Sequence, residues 1–257
     1  MTGKESFGLT DGQRSRYLRN ILLSGVGEAG QEKLLKSSVL LVGAGGLGSP
    51  AAYYLAAAGV GRIGLIDADT VSVSNLQRQI LHTAADIGRP KVASARDKLL
   101  ALNPELAVDT YNELFREEIA ADLVSGHDFV VDCTDNFPVR YVLNRACVER
   151  GVPFVYGGVL AWSGQTFTIL PGKGPCLRCI FAGDPPENAP TTSELGILGA
   201  VAGVIGVLQA AEALRYLLGV GELLVGRILT YDALTARFYE IPLERNENCR
   251  VCGQFRR

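Results

Sequence analysis

Surplus charge of either sign is scarce: 25 Lys and Arg stand against 27 Asp and Glu in 257 residues, a formal net charge of -2. A chain so balanced offers no broad basic field to neutralise phosphates, the terminal Arg256-Arg257 pair aside, and nucleic acid is excluded as an expected partner. A cationic, then apolar, then small-residue opening is also missing, because residues 1–10 are mostly polar, so no export signal is read. The longest apolar run, residues 197–208, is broken by glycines and followed by Gln209 and Glu212. That is short of the ~20 residues a membrane span needs, and no membrane partner is expected. Internal repeats and low-complexity segments are absent as well. What these absences leave is the expectation of a soluble, cytoplasmic protein.

What is present suits an α/β protein: 47% hydrophobic residues and 30 glycines, enough to bury one sizeable core. Residues 39–42, 62–66, 108–111, 129–133 and 153–156 are apolar or β-branched and read as strands. Helical spacing fills residues 28–36, 47–58, 91–102 and 137–150 between and before them. That alternation predicts a Rossmann-like, doubly wound, mostly parallel sheet. Residues 165–170, 227–231 and 237–241 read as antiparallel strands, and residues 196–218 as a long helix with Gly196, Gly199, Gly203 and Gly206 on related faces for close backbone approach. Arg14, Arg16 and Arg19 around Leu18, Ile21, Leu22 and Leu23 form an opening amphipathic helix, and residues 183–193 form a polar, Pro-rich, mobile loop. One domain is expected, in three stretches: helical 1–37, nucleotide-binding 38–160 and a cysteine-stapled 161–257.

Gly43-Ala44-Gly45-Gly46-Leu47-Gly48 satisfies G-x-G-x-x-G between a strand and a helix, with Asp67 at the end of the next strand. Glycines admit phosphate to the backbone, the helix start supplies N–H donors, and a carboxylate about 20 residues on binds ribose hydroxyls. Alone this says nucleotide, and an NAD-dependent oxidoreductase meets the same pattern. The polar segment Asp67-Ala68-Asp69-Thr70-Val71-Ser72-Val73-Ser74-Asn75-Leu76-Gln77-Arg78-Gln79 then lies at the ligand edge of the sheet, with Lys91 beyond it. Hydride transfer has little use for Arg78 and Lys91 near the phosphates, whereas a departing pyrophosphate needs its charge neutralised. Either cation alone is equally an ordinary surface charge. Asp132-Cys133-Thr134-Asp135-Asn136 closes another strand at that edge. Asp135 is the candidate magnesium ligand, while Thr134, Asp135 or Asn136 can each cap the helix that follows.

Cys176-Leu177-Arg178-Cys179 and Cys249-Arg250-Val251-Cys252 are two C-x-x-C knuckles, the number and local spacing of a closed, four-thiolate structural zinc site. A redox motif would open a helix after a strand, and disulfides are disfavoured in cytosol, so zinc is expected to staple the tail to the body. Cys133 and Cys147 read as core thiols.

Together these motifs resemble the MoeB/ThiF/HesA family of adenylyltransferases, bacterial relatives of ubiquitin-activating enzymes. The resemblance runs from about Arg16 to Cys252, through Arg16-Tyr17-Leu18-Arg19, the glycine loop, Asp67 to Arg78, Pro90-Lys91-Val92, Asp132 to Asn136 and both knuckles. It implies a homodimer that uses ATP and magnesium to adenylate the C-terminal Gly-Gly of a ubiquitin-like sulfur carrier resembling MoaD or ThiS, in molybdopterin or thiamin biosynthesis. It further implies that Gly46 meets phosphate, Asp67 the ribose, Asn75, Arg78 and Lys91 the phosphates and Asp135 the magnesium, while Arg19 reaches the neighbouring subunit's site. Gly43, Gly45, Gly48, Asp69, Ser74, Leu76, Gln77 and Asn136 complete the implied nucleotide contacts, and residues 161–257 become the carrier-binding half. Family members often carry a cysteine before the long helix; here Thr192 stands in its place. Adenylation without a covalent enzyme–carrier step is therefore expected, with sulfur from a separate donor protein and no appended rhodanese domain. A non-catalytic module that grips a ubiquitin-like partner is the second alternative, beside the oxidoreductase.

Overall fold

The computed structural model describes residues 8–183 and 192–253. Helices α1 (Asp11–Ile21) and α2 (Gly27–Lys36) precede β1 (Ser38–Val42), α3 (Gly48–Ala58) and β2 (Arg62–Ile66). Next come α4 (Lys91–Leu102), β3 (Ala107–Tyr111), α5 (Glu117–Ser125), β4 (Phe129–Asp132), α6 (Phe137–Arg150) and β5 (Phe154–Leu160). The remainder is β6 (Ser163–Ile169), α7 (Leu177–Ile180), α8 (Thr192–Leu195), α9 (Gly199–Leu218), β7 (Arg227–Asp232) and β8 (Arg237–Pro242). All strands share one sheet in the order β3-β2-β1-β4-β5-β6-β7-β8. It is parallel through β5 and antiparallel beyond, as the alternation and the later hairpins predict.

Continuous apolar runs become strands here because both faces of the sheet are covered. Val39, Leu41, Ile63, Leu65, Phe129 and Val131 point into one core, shared with α3, α4 and α9. The alternate residues Leu40, Val42, Ile66 and Val130 point into the other, beneath α5 and α6. Sequence order reverses between β1 and β4, so the crevice for a ligand opens where Val42 and Asp132 end paired strands.

Several details depart from the sequence reading. Helix α5 was not foreseen, and α9 begins at Gly199. Only two of the four glycines make the expected close approach. A Cβ on Gly206 would stand 2.4 Å from Leu47 O and one on Gly199 2.4 Å from Gln77 O, whereas Gly203 faces open space and Gly196 lies before the helix at φ +73°. Both contacts fall on loops of the nucleotide edge, so α9 buttresses it. By length and apolarity α9 alone among the described helices could cross a membrane. It packs instead on α3 and β5 and buries Gln209 and Glu212. Finally, α1 buries Tyr17, whereas Leu18 and, just past the helix, Leu22 and Leu23 are exposed. Polar anchors fix this helix, with Asn20 Nδ2 donating to Ala58 O at 3.2 Å and Asn103 Nδ2 to the Tyr17 hydroxyl at 3.0 Å.

Candidate functional site

The glycines of the loop divide by what obliges them. Gly43 holds φ +103°, and a Cβ there would meet Cys133 O at 2.7 Å; one on Gly48 would stand 2.1 Å from Gly43 O. Backbone crowding alone therefore demands these two. A Cβ on Gly46 would crowd Ala202 of α9 at 3.3 Å and the Arg78 side chain at 3.4 Å, while one on Gly45 would make an ordinary contact with Gln79 at 3.5 Å, so the bare backbone lets α9 and Arg78 lie close against the loop. Helix α3 opens from the loop without a side-chain cap; Ser49 N–H bonds back to Gly45 O at 2.9 Å and Pro50 has no N–H, so the end of the helix dipole lies at the loop itself.

Around this cradle the structure gathers most of the expected residues. Asp67 Oδ2 accepts the Ala44 N–H at 2.8 Å and its Oδ1 the Asp69 N–H at 2.8 Å, which ties the second strand's end to the glycine loop. The chain from Ser72 makes a single 3-10 turn, Val73–Asn75, closed by Asn75 Oδ1 on the Ser72 N–H. Arg78 follows, its side chain laid beside Gly46 and its Nη1 donating to Ser74 O at 3.0 Å; no carboxylate among the described residues pairs with it. Lys91 is buried at the start of α4 with Nζ on Asp69 Oδ2 at 2.7 Å, so the second cation comes with an anion of its own. Ser74 and Gln77 are exposed and Leu76 half-buried along the same turn.

The motif closing β4 sorts itself by contact. Asn136 is the helix cap, its Oδ1 accepting the Val139 N–H at 3.0 Å. Asp135 is exposed, with no bond to another described residue. Asp132, fully buried, accepts the Thr134 N–H and hydroxyl at 3.0 and 2.7 Å. Burial pushes its carboxyl up, opposed by Arg140 and by those hydrogen bonds. Arg19 is the exception to the convergence. Helix α1 is anchored at the far end of α3, so α3's 11 residues, roughly 16 Å at 1.5 Å each, separate it from this chain's own loop.

Sequence reasoning missed His82, which lies buried beneath the loop. Its Nε2–H donates to Ala44 O at 3.0 Å, so Nδ1 accepts from the Ser94 hydroxyl at 2.9 Å. Burial holds its pKa down, and Lys91 adds to the effect. His127, the second of the chain's two histidines, is likewise held down by burial. Both are harder to protonate in the fold than in the unfolded chain, where histidine titrates at about pH 6.5, so the unfolded state binds more protons as pH falls through that range. Stability should accordingly fall as pH drops from 7 towards 5, read as a lowered urea midpoint; a flat midpoint would refute neutral burial.

The knuckles meet although Cys176 and Cys249 are 73 positions apart in the chain: their sulfurs lie 3.6 Å apart, those of Cys179 and Cys252 3.4 Å, and those of Cys176 and Cys179 4.0 Å. All four sulfurs fall within 4.8 Å of one another, and none is in a disulfide. Buried Asn144 steadies the first knuckle, accepting the Leu177 N–H at 2.9 Å. The hydrogen bond to Cys179 and then burial push the Cys176 thiol up, while the same bond holds Cys179 down, so one proton is shared between neighbouring sulfurs. A cleft of about 580 Å³ beside the cluster, lined by Tyr141, Arg145, Arg178 and Arg250 among others, contains none of the nucleotide-edge residues.

The ThiF family profile matches residues 17–251. The molybdopterin-synthase adenylyltransferase of Escherichia coli is 48% identical over 251 residues, covering 96% of this chain and 99% of that protein. The sulfur carrier protein adenylyltransferase of Thermus thermophilus is 46% identical over 250 residues, covering 95% and 92%. Among solved structures, Escherichia coli MccB with MccA-N7isoASN superposes with a TM-score of 0.81 over 96% of this chain and 76% of that one, a likeness of fold at 24% identity.

Proposed function

Because the chain belongs to the ThiF family, we propose that it adenylates the C-terminal Gly-Gly carboxylate of a small ubiquitin-like sulfur carrier and releases pyrophosphate. One observation carries this reading beyond "nucleotide". Arg78 beside Gly46, Lys91 and the unbonded carboxylate of Asp135 all gather at the edge where the glycine loop and α3 open. That is more charge than an NAD-dependent oxidoreductase needs. The relatives' names, an adenylyltransferase for sulfur carrier protein and one for molybdopterin synthase, support the carrier class.

ATP with magnesium supplies an activated α-phosphorus. The chain's task is placement. The carboxylate is itself the nucleophile; its oxygen bonds to that phosphorus as the bond to pyrophosphate breaks, and no general base is required. Gly45 and Gly46 admit the phosphates, Asp67 reaches the ribose, and Asn75, Arg78 and Lys91 balance charge on the leaving pyrophosphate. Lys91 must first loosen its bond to Asp69. Asp135 would hold the magnesium. Arg19, remote from its own chain's site, suits the neighbouring site of a homodimer.

Zinc fits the cysteines. Bonds of about 2.3 Å in a tetrahedron set sulfurs about 3.8 Å apart, between the 3.4 and 4.0 Å of the measured pairs. Such a site is closed and structural. Residues 184–191, like the side chain of Thr192, lie outside the described residues. A reaction without a covalent carrier intermediate, with sulfur from a separate protein, therefore rests on the sequence alone. The test is ATP–pyrophosphate exchange with purified enzyme and carriers ending in Gly-Gly. Carrier-dependent exchange supports adenylation and names the carrier, whereas none with any carrier, despite bound ATP, favours the binding module.

A further inference from the structure

Arg140 is a buried cation that the reaction as described leaves unused. It sits one turn into α6 with its guanidinium 5.4 Å from the Phe137 ring centre and 4.9 Å from that of Tyr156. Its Nη2 donates to two backbone carbonyls, Thr134 O at 2.6 Å and Gly157 O at 2.9 Å. Its Nε stands 3.8 Å from Asp132 Oδ2, and neither of those two atoms has a hydrogen-bond partner. A buried pair so imperfectly satisfied is weak support for stability alone, since both charges are taken out of water to form it.

What the pair controls is Thr134. Asp132 takes its N–H and hydroxyl, and Arg140 takes its carbonyl, so both peptide groups of this residue are fixed. The next residue is Asp135, and the one after it is pinned as the cap of α6. Asp135 is thus a free carboxylate on a turn immobilised on either side. Arg140 also ties that turn to β5 through Gly157.

We propose that Arg140, braced by Asp132, is a positioning residue that sets the Asp135 carboxylate for the metal–nucleotide complex. The proposal rests on the functional reading above. Placement of a group within ~0.5 Å is what such a supporting contact provides, and its loss leaves the group present but loose.

The variant to make is Arg140→Lys, which keeps a positive charge opposite Asp132 but has no planar fork to span two carbonyls. Manganese binding is measured by electron paramagnetic resonance in the presence of α,β-methylene ATP, and nucleotide binding separately in chelator. Arg140→Lys should weaken manganese about tenfold while nucleotide affinity without metal stays within about twofold, because a positioning loss touches only the metal-facing carboxylate. Thr134→Val, which removes the hydroxyl bond to Asp132 and preserves shape, should move manganese the same way by about threefold. This second variant decides the matter if Arg140→Lys does not fold. Unchanged manganese affinity in a folded variant, or an equal loss of nucleotide with and without metal, overturns the proposal. Failure of the wild-type protein to bind manganese with the nucleotide would count against the adenylation reading itself.

Discussion

Asp135→Ala should lower carrier-dependent ATP–pyrophosphate exchange by about 10³-fold, roughly 4 kcal/mol of transition-state stabilisation, and leave the melting temperature unchanged. The size follows from the chemistry. Separating pyrophosphate concentrates negative charge, and a metal clamp held by the protein costs no reorganisation at that moment. The indifference of stability follows from the structure, since Asp135 is exposed and bonds to no described residue. Its neighbour supplies the contrast. Asn136→Ala removes a cap, so it should cost about 1 kcal/mol of stability. A variant of Asp135 that exchanges within tenfold of wild type would remove it from the metal-facing role.

The second large effect lies in the tail. Cys249→Ser should abolish one equivalent of bound zinc per chain and destabilise the protein by on the order of 5 kcal/mol, a fall of about 10–20 °C in melting temperature. Zinc bound by the four sulfurs would hold α7 and the C-terminal knuckle together although Cys176 and Cys249 are 73 positions apart in the chain. Each buried sulfur left without metal is also a crowded thiol among thiols. A strong chelator should reproduce the effect in the unaltered protein. Zinc-free protein with an undiminished melting temperature would mean that the four sulfurs are merely a packed cluster.

These predictions draw on features of unequal legibility. The C-x-x-C spacings and the glycine loop could be read because each is a local pattern whose geometry is completed within a few residues. Capping was half legible. Thr134, Asp135 and Asn136 were all eligible, and only the path of the turn, with Thr134 consumed by Asp132, left Asn136 to cap and Asp135 free. His82 gave no signal, since a single histidine in a polar loop has no period or spacing to mark it. The exposed leucines in and just after α1 misled for a related reason: periodicity shows which side chains share a face, and not whether anything covers that face.

By itself, then, the sequence determined the alternation of strands and helices, the nucleotide loop, the two knuckles and the acid-and-cation set at the sheet's edge. All of these depend on periodicity, on the conformational freedom of glycine or on short spacings. Tertiary structure alone decided that the knuckles converge, that α9 presses Gly199 and Gly206 against the two site loops, that Lys91 is paired with Asp69, and that Asp132 and Arg140 grip the turn before Asp135. Each of these joins residues brought together by strand order and helix packing. Contacts of that kind arise from the burial of shared apolar faces, so no local stretch of chain encodes them.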